Sequence, residues 1–237
     1  GLLTFDPNPK EFFSKIKNFK IISLREKQKI LSAMKIDYLI ILKFNKSLRN
    51  MTAENFIEKI LNEKIRPSKI VVGKEFKFGK NRVGNPNLLK KHFYTKIALQ
   101  KKISGKKISS SQIRKLISSG NVSKVKKFLG RYWSINGKVV SGDKIGRKLG
   151  YRTANVFLND CILPLRGVYV TRLYLNKTIY NGISNYGVAP TFGRKKTDVL
   201  ETHLLVPIRD LYKKNITIEF LKFIRKEKKF KSKKNLL

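Results

Sequence analysis

The sequence predicts an α/β domain followed by an antiparallel β-barrel, and three observations predict it. Up to residue 130, short apolar runs alternate with amphipathic helical stretches, the order that builds a parallel sheet. Beyond Gly130 the pattern changes to short alternating runs punctuated by Gly, Asn, Pro and Asp, as in an antiparallel barrel. After the first of those runs comes Gly142-Asp143-Lys144-Ile145-Gly146-Arg147-Lys148-Leu149-Gly150-Tyr151-Arg152-Thr153-Ala154-Asn155, a stretch with glycines at every fourth position.

The first half is justified element by element. Leu2 to Phe5 reads as a short buried strand, and Asp6-Pro7-Asn8-Pro9 stops it because two prolines cannot continue a ladder. Ser23-Leu24-Arg25-Glu26 is a capping box opening a helix, with Ile30, Leu31 and Met34 on its apolar side. The continuous apolar run Tyr38 to Phe44 suits a strand covered on both faces. Thr52 caps the next helix, whose stripe is Phe56, Ile57, Ile60 and Leu61. Ile70-Val71-Val72-Gly73 is another short buried strand. A helix over Val122 to Leu129 ends at Gly130, a C-cap, and the domain boundary is placed there: 1–130 and 131–237.

In the second half, Tyr132 to Val140 is a strand with Ser134, Asn136 and Lys138 on one face and Ile135 and Val139 on the other. Further strand runs are Val168–Leu175, Thr178–Ser184, Glu201–Val206 and Ile216–Phe223. Alternation along Leu200 to Val206 sets Glu201 and His203 on one face and Leu200, Leu204 and Val206 on the other.

Bulk properties bound the function. The 237 residues suffice for one large or two modest domains, and 41% are hydrophobic, enough for a core. A single cysteine, Cys161, rules out an internal disulfide and a cysteine-based zinc site, and fits a reducing cytosol. No apolar run approaches a membrane span, and the opening residues lack the form of a signal peptide. Lys and Arg number 54 against 15 Asp and Glu, a net charge of +39. Such a surface attracts nucleic acid or anionic lipid, and favours anionic small ligands as well. The basic residues are spread along the chain and form no single arm, so no specific nucleic acid and no membrane partner is expected.

The glycine-spaced stretch can cradle phosphate. Without Cβ atoms its backbone can approach an anion and converge several N–H groups on it, while Thr153 and Asn155 offer neutral oxygens suited to Mg²⁺ on substrate phosphates. It is neither a Walker A motif nor a dinucleotide fingerprint; on spacing alone a plain barrel-corner loop explains it equally well. Ile108-Ser109-Ser110-Ser111-Gln112-Ile113-Arg114 puts three serines at a helix start and an arginine one turn in. That pattern serves a triphosphate or simply caps the helix. The strand-borne Glu201 is the best placed of the few carboxylates in this half. Asp143 lies inside the cradle, Asp160, Asp198 and Asp210 fall in expected turns, and Glu219 and Glu227 lie near the terminal strand and the charged tail.

The glycine stretch with Thr153-Ala154-Asn155 resembles the ATP loop of riboflavin kinases, with Arg152 where the family has proline. Nearly the whole chain resembles the bacterial bifunctional riboflavin kinase/FAD synthetase. The further matches are Gly167-Val168-Tyr169, Asn185-x-Gly187-x-x-Pro190-Thr191-Phe192, Glu201-x-His203 and Arg225-x-Glu227. In the first half they are Gly73-Lys74-Glu75-Phe76-Lys77-Phe78-Gly79 with Arg82 and Gly84, and Ser109-Ser110-Ser111-x-x-Arg114. The resemblance implies a Rossmann-like nucleotidyltransferase domain, here partial, followed by a six-stranded Greek-key riboflavin kinase barrel in a cytoplasmic enzyme. It implies ATP, riboflavin and FMN as substrates and Mg²⁺ as cofactor. Glu201 would be the catalytic base; Gly142, Lys144, Gly146, Gly150, Thr153 and Asn155 would hold ATP, with Thr153 and Asn155 on the metal. Asn185 and Arg225 would face the flavin, and Ser109, Ser110, Ser111 and Arg114 would hold ATP for adenylyl transfer.

The family's His-x-Gly-His turn has no counterpart: His92 and His203 lie in no such motif, and Gly1 begins almost at the region that follows it. The expectation is a working kinase beside a crippled FAD synthetase in a chain that looks clipped at both ends. Two other readings stay open, a basic RNA-binding protein and a non-catalytic flavin-binding relic.

Overall fold

The structure, a computed structural model, describes residues 1–140, 153–158, 161–189, 197–206 and 211–227. In chain order the first elements are β1 (Leu2–Asp6), α1 (Pro9–Ser14), α2 (Leu24–Ala33), β2 (Leu39–Lys43), α3 (Lys46–Asn50), α4 (Ala53–Asn55), a π-helix (Phe56–Ile65) and β3 (Lys69–Gly73). Then come α5 (Pro86–His92), β4 (Tyr94–Ala98), β5 (Lys102–Ile103), β6 (Lys106–Lys107), α6 (Ser110–Ser118) and α7 (Val122–Leu129). The remaining strands are β7 (Trp133–Val140), β8 (Thr153–Phe157), β9 (Gly167–Leu175), β10 (Thr178–Ala189), β11 (Thr197–Leu204) and β12 (Asn215–Arg225). The chain forms two compact units: Gly1–Lys17 with Leu31–Ile108, and Asn18–Ile30 with Ser109 onward.

The first unit holds the expected parallel pairing, β1 with β2 and β3 with β4. Side chains of the Thr52-capped segment, Phe56, Ile57, Ile60 and Leu61, form its core with Ala53, Phe78 and Leu89. Leu3, Phe5, Leu42, Ile70 and Val72 pack on that core at strand period, so one face of each strand is covered. The opposite face differs from expectation: Ile41 is 38% and Val71 59% exposed. Among the described residues, packing comes from one side of these strands, which leaves the alternate apolar residues at the surface. Met34 is also exposed, because α2 ends at Ala33 and the chain turns at Lys35 (φ 57°).

The second unit is a closed barrel in the order β10-β11-β8-β7-β12-β9, with antiparallel neighbours throughout. Its interior is built by alternation: Trp133, Ile135, Val139, Ala154, Val156, Tyr169, Leu173, Tyr186, Leu200, Leu204, Ile216, Ile218 and Phe220 are buried. The sixth strand, β8, begins within the stretch read from sequence as the end of the glycine loop. Three local readings are corrected. Asp198 lies on β11 and not in a turn, since the strand starts at Thr197. Asn185 to Ala189 continue β10 beyond the expected run Thr178–Ser184. Val206 lies beyond the end of β11 and is exposed.

Helix α7 packs on β12 and β7 and ends, as expected, with Gly130 in the left-handed region (φ 71°), where only glycine is unstrained. The same unit includes the segment 18–30, tied down by named bonds. The Trp133 indole donates to the Ile21 carbonyl at 2.7 Å, the Ile162 amide to the Lys20 carbonyl at 2.7 Å, and the Asn136 amide nitrogen to Glu26 Oε2 at 2.7 Å. Ser23 Oγ accepts from the Glu26 amide as a cap should, and the Glu26 carboxylate engages the barrel.

Candidate functional site

Strand register assembles the site. Glu201 on β11 stands opposite Asn155 on β8 and opposite Asn185 on β10. Asn185 in turn pairs with Val168 on β9, and Val168 with Arg225 on β12. Asn155, Glu201, Asn185 and Arg225, far apart in sequence, therefore form one row across adjoining strands. Directly opposite residues share a face of the sheet, with Cβ atoms about 4.5–5.5 Å apart. The face is the outer one, because the intervening Ala154, Val156, Leu200, Thr202, Ser184 and Tyr186 fill the interior. Thr153 and His203 pair in the next row and share that face.

The environments along the row differ. Glu201 is exposed, His203 half-buried and Asn155 buried. The Asn185 side-chain oxygen is shielded from solvent and has no hydrogen-bond partner among the described residues. Gly187, two residues on and so on the same face, touches a second carboxylate: a Cβ there would overlap Glu227. Sequence reasoning placed Glu227 near the charged tail and within the Arg225-x-Glu227 match, but gave it no role. Its spacing two residues beyond Arg225, the period that returns a strand to one face, was the available signal. Gly167, at the start of β9, has φ 147° and lies against the Arg225 carbonyl, so any side chain there would push β9 away from the end of the row.

A surface ion pair and a buried phenol lie near this region. Arg166 Nη2 donates to Asp198 Oδ1 at 2.8 Å, which holds the guanidinium above its ordinary range. Tyr186 hydrogen-bonds to the same pair; burial, and secondly the Asp198 charge, push its phenol up. Burial likewise raises Tyr169, whose hydroxyl donates to the Leu165 carbonyl.

Thr153 and Asn155, two residues apart on one strand face, present neutral oxygens side by side with the Glu201 carboxylate in the paired strand. That donor set suits a Mg²⁺ carried in on nucleotide phosphates, which retains phosphate and water ligands. No cluster of three or more His, Cys, Asp or Glu able to hold an ion occurs among the described residues. The sequence-predicted Gly142, Lys144, Gly146 and Gly150 lie outside the described residues, as do Asp143, Asp160, Pro190, Thr191, Phe192 and Asp210.

The serine-rich helix start forms as read: Ser109 is the N-cap of α6, its hydroxyl accepting from the Gln112 amide at 3.3 Å, and Ser110 and Ser111 open the helix. The Arg114 guanidinium lies 3.7 Å over the Phe19 ring, with Nε donating to the Phe19 carbonyl at 2.8 Å. In the first unit Phe76 and Phe78 stack and Phe78 is buried, so this loop's phenylalanines are packing residues. Glu75 is exposed and paired with Lys107 at 2.6 Å; that bond holds its carboxyl below the usual range.

Comparison with known proteins follows this division. The riboflavin kinase family profile matches residues 129–237 and the FAD synthetase profile residues 1–112. A bifunctional riboflavin kinase/FMN adenylyltransferase of Buchnera aphidicola subsp. Acyrthosiphon pisum is 40% identical over 243 residues, covering 99% of this chain and 78% of the relative. The protein of that name from Escherichia coli K12 is 34% identical over 238 residues, covering 98% and 76%. A crystal structure of a macrolide-efflux protein from Streptococcus pneumoniae superposes with a TM-score of 0.87 at 28% identity, covering 99% of this chain and 78% of that one. That likeness concerns the fold; no helix among the described residues is long and apolar enough to cross a membrane.

Proposed function

We propose a site assignment from one premise: this chain belongs to the bifunctional riboflavin kinase/FMN adenylyltransferase family. It is an enzyme of flavin cofactor biosynthesis, with a riboflavin kinase part and an FAD synthetase part. Riboflavin, ATP and FMN are the substrates that fit it. Residues 1–130 are assigned to adenylyl transfer and 131–237 to phosphorylation, supported by where the two family profiles fall.

In the kinase reaction, the ribityl 5′-hydroxyl oxygen bonds to the γ-phosphorus of ATP as the bond to the β-bridging oxygen breaks, releasing ADP. Glu201 accepts the hydroxyl proton. An exposed carboxylate within the row can meet a substrate hydroxyl arriving from solvent and pass the proton back to water. Thr153 and Asn155 would hold Mg²⁺, which when bound neutralises charge on the phosphates. Gly142, Lys144, Gly146 and Gly150 cradle the phosphates. Asn185 and Arg225, farther along the row, take the flavin side. The observation that carries this reading is the row itself, which brings Asn155, Glu201, Asn185 and Arg225 onto one face.

For adenylyl transfer, Ser109, Ser110, Ser111 and Arg114 are assigned to ATP phosphates, supported by the helix start they form; Arg114 would exchange the Phe19 carbonyl for a phosphate oxygen. The cytoplasm is the proposed compartment, supported by the chain's single cysteine, Cys161, which leaves no internal disulfide.

The test is incubation with riboflavin, ATP and Mg²⁺, with riboflavin, FMN and FAD separated by chromatography, for the parent and for Glu201→Gln. FMN from the parent and a loss of about 10²–10⁴ in kcat in the variant are expected. A folded Glu201→Gln protein with parental turnover would remove the base assignment.

A further inference from the structure

On the inner faces of β9, β10 and β11 three buried hydroxyls meet. Thr171, Ser184 and Thr202 are each fully buried. Thr171 Oγ1 donates to the Gly182 carbonyl at 3.2 Å and lies 2.8 Å from Ser184 Oγ, which lies 2.8 Å from Thr202 Oγ1. With Thr171 donating to the carbonyl, the arrangement that satisfies every hydroxyl hydrogen has Ser184 donating to Thr171 and Thr202 donating to Ser184. The chain runs Thr202 to Ser184 to Thr171 to Gly182, and every donor is satisfied. Such a chain is polarised along its length, and breaking it inside an apolar core is expensive.

We propose that this ladder is the register key of the outer row, making Thr171, Ser184 and Thr202 positioning residues for Glu201; the inference rests on the kinase reading above. A one-residue slip between β10 and β11 is already excluded, because it would turn every apolar side chain to solvent. A two-residue slip preserves the alternation, and apolar packing discriminates against it weakly. The ladder discriminates strongly. Ser184 faces Thr202 in the observed register, while Gly182 faces Leu204 and Tyr186 faces Leu200. Sliding by two sets Ser184 against Leu200 or Leu204 and leaves buried hydroxyls unpaired. The same slide moves Glu201 from opposite Asn185 to opposite Ile183 or Gly187, and the row is broken.

The experiment compares Thr202→Val, Thr202→Ser and the all-apolar Thr171→Val/Ser184→Ala/Thr202→Val chain for riboflavin phosphorylation. A second, activity-independent arm introduces Asn185→Cys/Glu201→Cys, positions directly opposite, and measures the oxidative cross-link with and without the ladder. Removing all the hydroxyls together can leave stability nearly unchanged, which separates positioning from folding. Expected are a fall in kcat of about tenfold or more for Thr202→Val, with KM for riboflavin within about twofold, and recovery in Thr202→Ser. The cross-link yield should fall in the ladder-free chain. Parental kcat in folded Thr202→Val, or an undiminished cross-link without the ladder, overturns the proposal. If the triple chain does not fold, the Val and Ser pair decides. A parent that makes no FMN refutes the kinase reading, while the cross-link still tests the ladder.

Discussion

Trp133→Phe probes how the segment 18–30 is held on the barrel. The indole is fully buried, its ring centroid 4.7 Å from that of Phe220, and its N–H reaches the Ile21 carbonyl at 2.7 Å. Phenylalanine keeps the contact with Phe220 and removes the donor. An acceptor left without a partner costs about 1–3 kcal/mol, toward the low end where water can reach the carbonyl. The space left by the missing part of the indole adds roughly 1 kcal/mol, since complete Trp or Phe truncation costs about 3–5. The sum, about 2–4 kcal/mol, is a large share of the roughly 5–15 kcal/mol that holds a domain together. At about 2–4 °C per kcal/mol, the Tm should fall by roughly 5–15 °C. Scanning calorimetry measures that fall. Hydrogen exchange should locate it, with faster amide exchange across residues 18–30 than elsewhere in the unit. A Tm within about 2 °C of the parent, with unchanged exchange in 18–30, would refute the claim that the indole anchors this segment.

Gly182→Ala tests the β10–β11 approach: a Cβ would lie 2.6 Å from the His203 carbonyl, and backbone cannot swing aside as a side chain can. A loss of about 1–3 kcal/mol in urea unfolding is expected, with reduced FMN formation because β11 carries Glu201. Tyr169 supplies a pH dependence. Burial raises its phenol above the ordinary value of 10.0, so the folded state holds the proton more tightly than the unfolded state. That stabilisation is complete below about pH 10 and is lost as pH rises from there through the raised folded value. Melting curves from pH 8 to 11.5 should show Tm falling above pH 10, and Tyr169→Phe should flatten that slope; an equal slope in the variant would contradict the assignment.

Much of this was legible locally. Period-two alternation put Glu201 and His203 on one face of β11 and Leu200 and Leu204 on the other, as found. Thr52, Ser109 and Gly130 marked helix ends because a cap is a property of a few neighbouring residues. The strand β8 was missed. Thr153 to Phe157 follows a glycine-rich stretch and is short, and its strand character comes from closing the barrel between β7 and β11. Thr202 was likewise passed over on the face of Leu200 and Leu204, since a hydroxyl among apolar residues has no local signal of being satisfied. Its partner, Ser184, sits on another strand.

The sequence by itself determined which residue types were available and which side of its own strand each one faces, because backbone pleat and helical period act within a few residues. It also carried the riboflavin kinase and FAD synthetase resemblance that the family profiles bear out. Only the tertiary structure decided which residue stands opposite which. Asn155 faces Glu201, Glu201 faces Asn185, Glu227 lies on Gly187, and the segment 18–30 joins the barrel through Trp133. Register is a pairing between distant parts of the chain, chosen by burial and hydrogen bonding across the closed barrel, and no local pattern contains it.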